Sequence, residues 1–348
     1  MRHEYDYFIV KYCKILTIFV YICHVSNKMS KISIIIPVHN AEKYLRTSVG
    51  SLKAQTYGNI EIVLVENAST DGSLALCHEI AAADDMVKVI QCDFGDPSNA
   101  RNEGILASTG EYIGFIDSDD TVEPDMYEQM LNIASKEDLD IIICDFVKKY
   151  DYRSDRREYP DDGTVTIEPP MELLKKNFKD QIPQSACTLL CRKELFEKVK
   201  FPVGRYFEDT ATTWRLLLEA SRAGHIARSF YHYYRHEGSI VHTASFKIHY
   251  GHVLADMERV DFINSYEKYS DQERYELGAR PLALFYKHFG KMVKLAQTDE
   301  EKLACVRCRD WALSLSDGYK LKIRYSLLRT LVHNCWGFYC ILKRGSKL

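Results

Sequence analysis

The chain has 348 residues, 46% of them hydrophobic and 27% charged, with a formal net charge of −3. This composition is typical of a globular protein and excludes a disordered chain, and the negative charge argues against general binding to nucleic acid. The length suits one large domain with an appendage, or two modest domains.

Eleven scattered cysteines indicate reduced thiols in the cytosol. Cys187-x-x-x-Cys191 and Cys305-x-x-Cys308 lack the second matched pair that zinc usually needs, so we expect buried helical thiols.

The first 28 residues differ from the rest. Phe8 to Val25 is apolar and aromatic but is interrupted by Lys11 and Lys14, which a spanning helix would have to accommodate. Three interpretations compete: a start site placed too early with true initiation at Met29, an N-terminal membrane anchor, and a segment that lies on a surface. We favour the first, because the next clear strand begins directly after Met29.

From Lys31 the chain alternates strand-like and helix-like patterns. An apolar run at 32–38 predicts a strand covered on both faces, and Asn40 is placed to cap a helix from about Ala41 to Gln55. The pattern then predicts strands at 60–65 and 87–90 and helices beginning near 71–73 and 99. Repeated β-α-β units indicate a mostly parallel sheet flanked by helices. The glycine-rich dinucleotide and P-loop motifs do not occur.

The last predicted strand of this series ends in acidic residues. Tyr112 to Ile116 is apolar and leads directly into Asp117-Ser118-Asp119-Asp120. Carboxylates at alternate positions leave a strand on one face, so Asp117 and Asp119 can converge on Mg²⁺ or Mn²⁺, which typically bridges to a substrate phosphate. The alternative is an acidic turn that only ends the strand.

Other polar segments belong to the same edge of the predicted sheet, where ligands bind in α/β folds. They are Pro37-Val38-His39-Asn40 after the first strand, Glu66 to Ser73 after the second, and the helix start at Asn99 to Gly104. Asparagine or aspartate there can bond a ribose or a base, and Arg101 offers a forked donor for phosphate. Each segment alone could be only a cap or a turn.

Taken in this order, the segments resemble glycosyltransferase family 2, whose members have the GT-A fold, over about Met29 to Thr243. The matching elements are P-V-x-N, S-T-D-G-S, N-A-R-N-x-G and F-I-D-S-D-D. Farther on, Phe207-Glu208-Asp209-Thr210 resembles the family's E-D motif, and Tyr233-Tyr234-Arg235-x-x-Gly238-Ser239-Ile240 resembles a late aromatic segment. The resemblance implies an α/β fold of the GT-A type, with a Rossmann-like, mostly parallel sheet, followed here by a C-terminal helical region.

The resemblance also implies roles for individual residues. The donor would be a nucleotide-diphosphate sugar, with Mn²⁺ or Mg²⁺ held mainly by Asp119 and supported by Asp117. Asp209 would be the general base of an inverting transfer and Glu208 its neighbour or an acceptor contact. His242 could be a further metal ligand. The nucleotide-sugar site would include Pro37, Val38, Asn40, Glu66, Asn67, Asp71, Arg101, Asp117 and Ser118.

Some features leave alternatives open. Glu66 and Asn67 stand where the family commonly has two aspartates, so the resemblance does not fix the nucleotide. Glu208 and Asp209 also precede an apolar helix, where acidic residues are favoured as caps and by the helix dipole. The rival functions are a metal-dependent sugar nucleotidyltransferase, a calcium-binding module and an inactive scaffold that binds nucleotide sugar.

The pattern divides the chain into an extension at 1–28, a catalytic domain at 29–245 and a helical region at 246–348. Asp151 to Asp162 is charged and predicts a solvated hairpin or loop, and His249-x-x-His252 predicts a surface pair. Tyr325 to Leu342 combines an apolar stripe with flanking lysines and arginines, which suits a helix on an anionic membrane, a packed terminal helix or a dimer contact. We therefore expect a cytoplasmic enzyme, peripheral at the inner face of the cell membrane, with a glycan or lipid-linked acceptor in surface polysaccharide synthesis.

Overall fold

The computed structural model describes residues 30–93, 95–150, 154–235 and 245–315. Within them, one sheet has the strand order β3-β2-β1-β4-β9-β6-β10-β5, with β7 paired to β6 and β8 paired to β10. The strands are β1 (Ile32–Val38), β2 (Ile60–Asn67), β3 (Val87–Cys92), β4 (Tyr112–Phe115), β5 (Thr121–Val122), β6 (Ile141–Tyr150), β7 (Arg156–Arg157), β8 (Val165–Glu168), β9 (Leu189–Arg192) and β10 (Ala223–Arg235).

The first part of the sheet is parallel, as predicted. Strand β1 pairs in parallel with both β2 and β4, and β2 pairs in parallel with β3. The crossovers contain helices α1 (Leu45–Lys53), α2 (Ser73–Ala82) and α3 (Pro97–Ala107). A Cβ atom at Gly104 of α3 would collide with the side chain of Ile35, so glycine allows this helix to approach β1 closely. The arrangement brings the carboxyl ends of β1, β2 and β4 to one edge.

The second part of the sheet is mixed. Strand β9 lies antiparallel between β4 and β6, while β10 is parallel to β6 and antiparallel to β5 and β8. Our sequence patterns do not predict β10, the longest strand in the described part of the chain. Helices α4 (Met126–Glu137), α5 (Pro170–Phe178), α6 (Leu195–Lys198) and α7 (Glu208–Glu219) complete this region. The predicted hairpin at Asp151 to Asp162 corresponds in its described part to the exposed strand β7 against β6.

One helix start was predicted wrongly. Helix α1 begins at Leu45, not near Ala41, and Asn40 does not cap it. Asn40 adopts a left-handed backbone conformation with φ of 50°, and its side-chain oxygen accepts a hydrogen bond from the Thr70 amide at 2.8 Å. Asparagine tolerates that conformation better than most residues. Asn40 therefore joins the loop after β1 to the loop after β2.

The C-terminal part is helical, as predicted, in α8 (Phe246–Ser265), α9 (Asp271–Leu295) and α10 (Asp299–Ser314). Capping boxes at Ser270 and Thr298 fix the starts of α9 and α10. These helices share an apolar cluster of their own that includes Val253, Phe285 and Phe289.

The helices are also joined to the sheet domain. Arg259 of α8 is fully buried and donates to Gln184 Oε1 and to the carbonyl of Asn177, both at 3.2 Å. Its guanidinium lies over the ring of Phe178, 5.3 Å from the centroid. Ile263 and Leu277 pack in the core of the sheet domain. Polar and apolar contacts therefore both cross residue 245. The domain boundary that the sequence predicts there stays a prediction.

The prediction for the histidines of α8 was wrong. His249 is buried, and its Nδ1 lies 3.1 Å from Nδ1 of His288 on α9. The ring of His252 packs on that of His288 at 3.7 Å between centroids. The sequence spacing gave no indication of His288, which lies on another helix. These three residues form a packed histidine cluster between α8 and α9.

The four close cysteines are buried, as predicted, although only Cys305 and Cys308 lie on an α-helix. No helix within the described ranges is both long and apolar enough to cross a membrane. Residues 1–28, His242 and Tyr325 to Leu342 lie outside those ranges, and so do the predictions made for them.

Candidate active site

The loops after β1 and β2 are connected by hydrogen bonds. The Asn40 amide donates to Ser69 Oγ at 3.1 Å, and the His39 ring lies 2.8 Å from the carbonyl of Asn67. Pro37 is half-buried and Val38 buried at the end of β1. Together these residues form one connected wall at the carboxyl edge of the sheet.

Two predicted nucleotide-binding residues have structural partners in this wall. Glu66 is buried and its Oε1 accepts the Ser69 amide at 2.7 Å, which closes the turn after β2. Asp71 is exposed and accepts the amides of Ser73 at 3.0 Å and Glu42 at 3.2 Å. Both carboxylates therefore hold the loop that leads into α2.

Asn67 is different. Its side chain is buried, with 2% of its surface exposed, yet no donor in the described part of the chain reaches its Oδ1 atom. An unsatisfied buried acceptor costs about 1–3 kcal/mol. A ligand that supplies an N–H or O–H group at this edge would remove that cost.

Arg101 connects the three other predicted segments. It is buried on α3, donating through Nη2 to Asp117 Oδ1 at 2.9 Å and through Nη1 to Glu208 Oε1. Burial alone would lower the pKa of Arg101, but the carboxylates of Glu208 and Asp117 overcome that effect and raise it. The structure thus brings together residues that lie 107 positions apart in the sequence.

The acidic turn after β4 has an inner and an outer side. Asp120 is fully buried and accepts the Tyr231 hydroxyl at 2.5 Å and the Tyr234 amide at 2.8 Å. The Tyr231 oxygen in turn accepts the Asp117 amide at 3.2 Å. Asp117, Ser118 and Asp119 are only partly buried. Sequence reasoning missed Tyr231, because no pattern linked β10 to the acidic turn.

The fit of this turn to a divalent cation can be judged from its donors. Within residues 30–315 as far as they are described, no three histidine, cysteine or acidic side chains are grouped to hold a metal. Mg²⁺ commonly needs fewer protein ligands, because one or two carboxylates bind it together with water and substrate phosphates. Asp117 and Asp119, two positions apart on the outer side, fit that donor set.

Glu208 and Asp209 open α7. The preceding Phe207 has a left-handed backbone with φ of 60°. Glu208 is buried against Arg101, and Asp209 Oδ1 accepts the Thr210 amide at 2.6 Å. Burial, assisted by the charge of Glu208, raises the pKa of Asp209 to about 7. A carboxylate that served only the helix start would have its ionised form favoured by the dipole, which is the opposite effect.

Comparison with known proteins gives a consistent result. A family profile described as Glycosyl transferase family 2 matches residues 33–200. The chain is 37% identical over 223 residues to glycosyltransferase GlyG of Streptococcus pneumoniae serotype 4, covering 61% of this chain and 73% of that protein. It is 33% identical over 215 residues to putative glycosyltransferase EpsH of Bacillus subtilis, covering 60% and 62% of the two chains. The match to EpsH thus spans less than two thirds of that relative.

The fold is also found among solved structures. The crystal structure of S. aureus TarS 1-349 in complex with UDP-GlcNAc superposes with a TM-score of 0.62 over 90% of this chain and 88% of that one, at 19% identity. At that identity the match concerns the fold, and it confirms the predicted α/β architecture of the GT-A type.

Proposed function

Because this chain belongs to glycosyltransferase family 2, we propose that it transfers a sugar from a nucleotide-diphosphate sugar to an acceptor hydroxyl, with inversion at the anomeric carbon. The observation that carries the proposal is the buried contact of Arg101 with both Asp117 and Glu208, directly beside Asp209. The contact supports the proposal because it joins Arg101, which would bind phosphate, to the acidic turn and to the residue next to the candidate base.

The donor would lie along the carboxyl edge of β1, β2 and β4. Asn67 ends β2 at this edge and would hydrogen-bond the base or ribose, and its Oδ1 lacks a donor within the described ranges. Pro37, Val38 and Asn40 would shape the same wall, and Ser118 would face the donor from the acidic turn. The UDP-GlcNAc named with the TarS structure supports a nucleotide sugar as the class of donor.

Asp119, with Asp117, would hold Mn²⁺ or Mg²⁺ against the diphosphate. A cation bound there stabilises the negative charge that develops on the leaving nucleotide diphosphate. Arg101 would maintain Asp117 in position through the 2.9 Å contact and add a second positive charge near the leaving group.

Asp209 would remove the proton from the attacking hydroxyl. A general base is most effective when its pKa lies near the working pH, and burial beside Glu208 raises the pKa of Asp209 to about 7. The acceptor oxygen forms its bond to the anomeric carbon as the bond to the diphosphate breaks, and the proton goes to Asp209. A single displacement of this kind inverts the configuration.

We also propose a glycan or lipid-linked acceptor and a place at the inner face of the membrane. This part rests on the sequence of Tyr325 to Leu342, an apolar and aromatic stripe with basic flanks. It is separate from the proposal for the reaction, which depends on the described residues.

Screening of donor hydrolysis with UDP-, GDP- and dTDP-sugars and Mn²⁺ tests the reaction class. We expect one nucleotide family to be cleaved, and NMR of the transferred sugar should show an inverted anomer.

Asp119→Ala should abolish Mn²⁺-dependent nucleotide binding in calorimetry. The control is Asp125→Ala, which changes a nearby acid that bonds Gln129 and should leave this binding intact. Hydrolysis of no donor, or equal nucleotide affinity with a chelator present, would contradict the proposal.

A further inference from the structure

A second concave site lies next to the loop that leads to Asp209. It has a volume of about 700 Å³, within the range of about 300–1,000 Å³ that is usual for small-molecule sites. Its walls come from the start of α3, the loop at 204–206, helix α8 and helix α10. The C-terminal helices, which lie outside the matched family profile at 33–200, therefore supply much of this cavity.

The lining combines aromatic rings with balanced charge. Phe246, Tyr206 and Tyr250 provide the rings. Three acids and three bases also line the cavity, so it has no net charge: Asp96, Glu300, Glu301, Arg205, Lys247 and Arg307. The Arg205 guanidinium is already paired with both carboxylate oxygens of Glu258, at 2.7 and 2.8 Å.

The loop between this cavity and Asp209 is held at both sides. Asp96 Oδ2 accepts the Gly204 amide at 2.5 Å, which fastens the loop to the start of α3. On the other side a Cβ atom at Gly251 would collide with the Tyr206 carbonyl oxygen, so α8 lies directly against the loop. Tyr206 is three residues before Asp209, and three extended residues span at most about 11 Å. One oligosaccharide-sized molecule could therefore occupy the cavity and reach Asp209.

We propose that this cavity binds an uncharged saccharide portion of the acceptor, beyond the sugar whose hydroxyl reacts. The inference rests on the proposed function and names the acceptor class of the same enzyme. The faces of sugar rings carry C–H groups that pack on aromatic side chains, while their hydroxyls donate to carboxylates and accept from ammonium and guanidinium groups. Tyr206 and Tyr250 supply the first kind of contact, and the charged rim supplies the second.

Other ligand classes fit the lining less well. A phosphate or pyrophosphate would meet three carboxylates in a cavity of no net charge, so binding would lack the electrostatic attraction on which anion sites depend. A lipid chain would take the charged side chains that line the cavity, such as Lys247 and Arg307, out of water without offering them hydrogen bonds, which is costly. A neutral polyhydroxylated ligand avoids both difficulties.

The test compares two leucine variants of the full chain. Leu254→Trp places a large ring in the cavity, whereas the control Leu303→Trp changes a leucine on α10 that is 54% exposed and does not line it. A glycan array of neutral mono- to tetrasaccharides of hexoses and N-acetylhexosamines is the probe. We expect wild type and Leu303→Trp to bind a common subset, and Leu254→Trp to lose at least about tenfold in affinity. Hydrolysis of the nucleotide sugar that the wild type cleaves, measured without acceptor, should be equal in all three.

A second variant keeps the proposal testable if Leu254→Trp does not fold. Lys247→Ala/Arg307→Ala removes two exposed rim cations, and each lost hydrogen bond to a charged group should weaken glycan binding by roughly tenfold or more. Equal glycan binding by wild type and all variants, or none by wild type, overturns the acceptor-site proposal while donor hydrolysis remains. Absence of donor hydrolysis in wild type would instead contradict the reaction itself.

Discussion

Two buried carboxylate networks lie at opposite edges of the same sheet, and they differ in how fully each acid is satisfied. At the amino edge, Glu61 accepts the Lys31 ammonium at 3.0 Å, the Lys88 ammonium at 3.2 Å and the Thr109 hydroxyl at 2.9 Å, with further bonds from Ser33 and the Thr109 amide. At the carboxyl edge, the donors that reach Asp209 within the described ranges are the amide and the hydroxyl of Thr210.

The consequences for ionisation are opposite. Burial would raise the pKa of Glu61, but the bonds from Ser33, Thr109 and Lys31 outweigh it and hold that pKa below its usual range. Burial and the neighbouring charge of Glu208 raise the pKa of Asp209 to about 7. A fully satisfied carboxylate stabilises the fold, whereas a poorly satisfied one is ready to take a proton. We therefore expect mutations at the two edges to affect different properties.

The largest effect is expected at Asp209. Asp209→Asn removes the proposed base and should lower sugar transfer by about 10²–10⁴-fold, which is the usual contribution of such a group. Donor binding should persist, because Arg101 and Asp119 are unchanged. The matched control is Asp271→Asn, an acid in the first turn of α9. If both variants transfer sugar at the wild-type rate, Asp209 serves only the start of its helix.

The second prediction concerns Glu61, where we expect stability to change and activity to stay the same. Glu61→Gln leaves Lys31 and Lys88 without their carboxylate, and loss of charged hydrogen bonds should lower the free energy of unfolding by about 2–3 kcal/mol. Urea denaturation measures this change. The rate per folded molecule should remain that of wild type, since Glu61 lies at the far edge from Arg101. A large loss of activity with unchanged stability would remove the distinction between the edges.

The third prediction concerns pH. As a base, Asp209 must be ionised, so transfer should fall as the pH decreases through about 7. Glu208→Gln removes a negative charge that helps to raise this pKa, and the acid limb of kcat/KM should move to lower pH even if the maximal rate falls. The pH profile separates this effect from simple loss of the Arg101 contact. If the acid limb of the kcat/KM profile does not move, a group other than Asp209 is responsible for it.

The sequence predicted the parallel half of the fold well because local pattern determines it. The apolar runs of β1 and β2 remain covered on both faces, so their composition alone marks them. Strand β10 mixes His225, Arg228 and His232 with apolar residues, and its pairing depends on distant strands. It is a strand because it pairs with those distant strands, and its own sequence does not show the alternation of apolar and polar residues that would predict this.

The site follows the same rule. Residues that come directly after a predicted strand, such as Asn67 and Asp117, could be placed at one edge from topology alone. The contact between Tyr231 and Asp120 joins positions 111 apart, and Asp120 could not be distinguished from Asp119 by sequence. The histidines of α8 were misjudged for this reason too, since their packing partner His288 lies on α9.

That histidine cluster gives the smallest predicted effect. Burial, with help from nearby positive charges such as Lys287 and Lys291, lowers the pKa of His249 to about 4 and of His288 to about 3. An unfolded histidine titrates near about 6.5, so below that pH the unfolded chain binds more protons and the fold loses stability as the pH falls. Each such histidine should contribute a slope of about 1.2 kcal/mol per pH unit between pH 6 and 5, because the unfolded side chain is mostly protonated there and the folded one is not.

His288→Gln should therefore lower the pH dependence of unfolding in that range, even if it also weakens the fold at neutral pH. The exposed His78 on α2 is the control, because His78→Gln leaves the cluster intact. Urea unfolding at pH 5, 6 and 7 measures all three proteins. Parallel pH dependences for wild type and His288→Gln would indicate that the cluster opens to water and binds protons without unfolding.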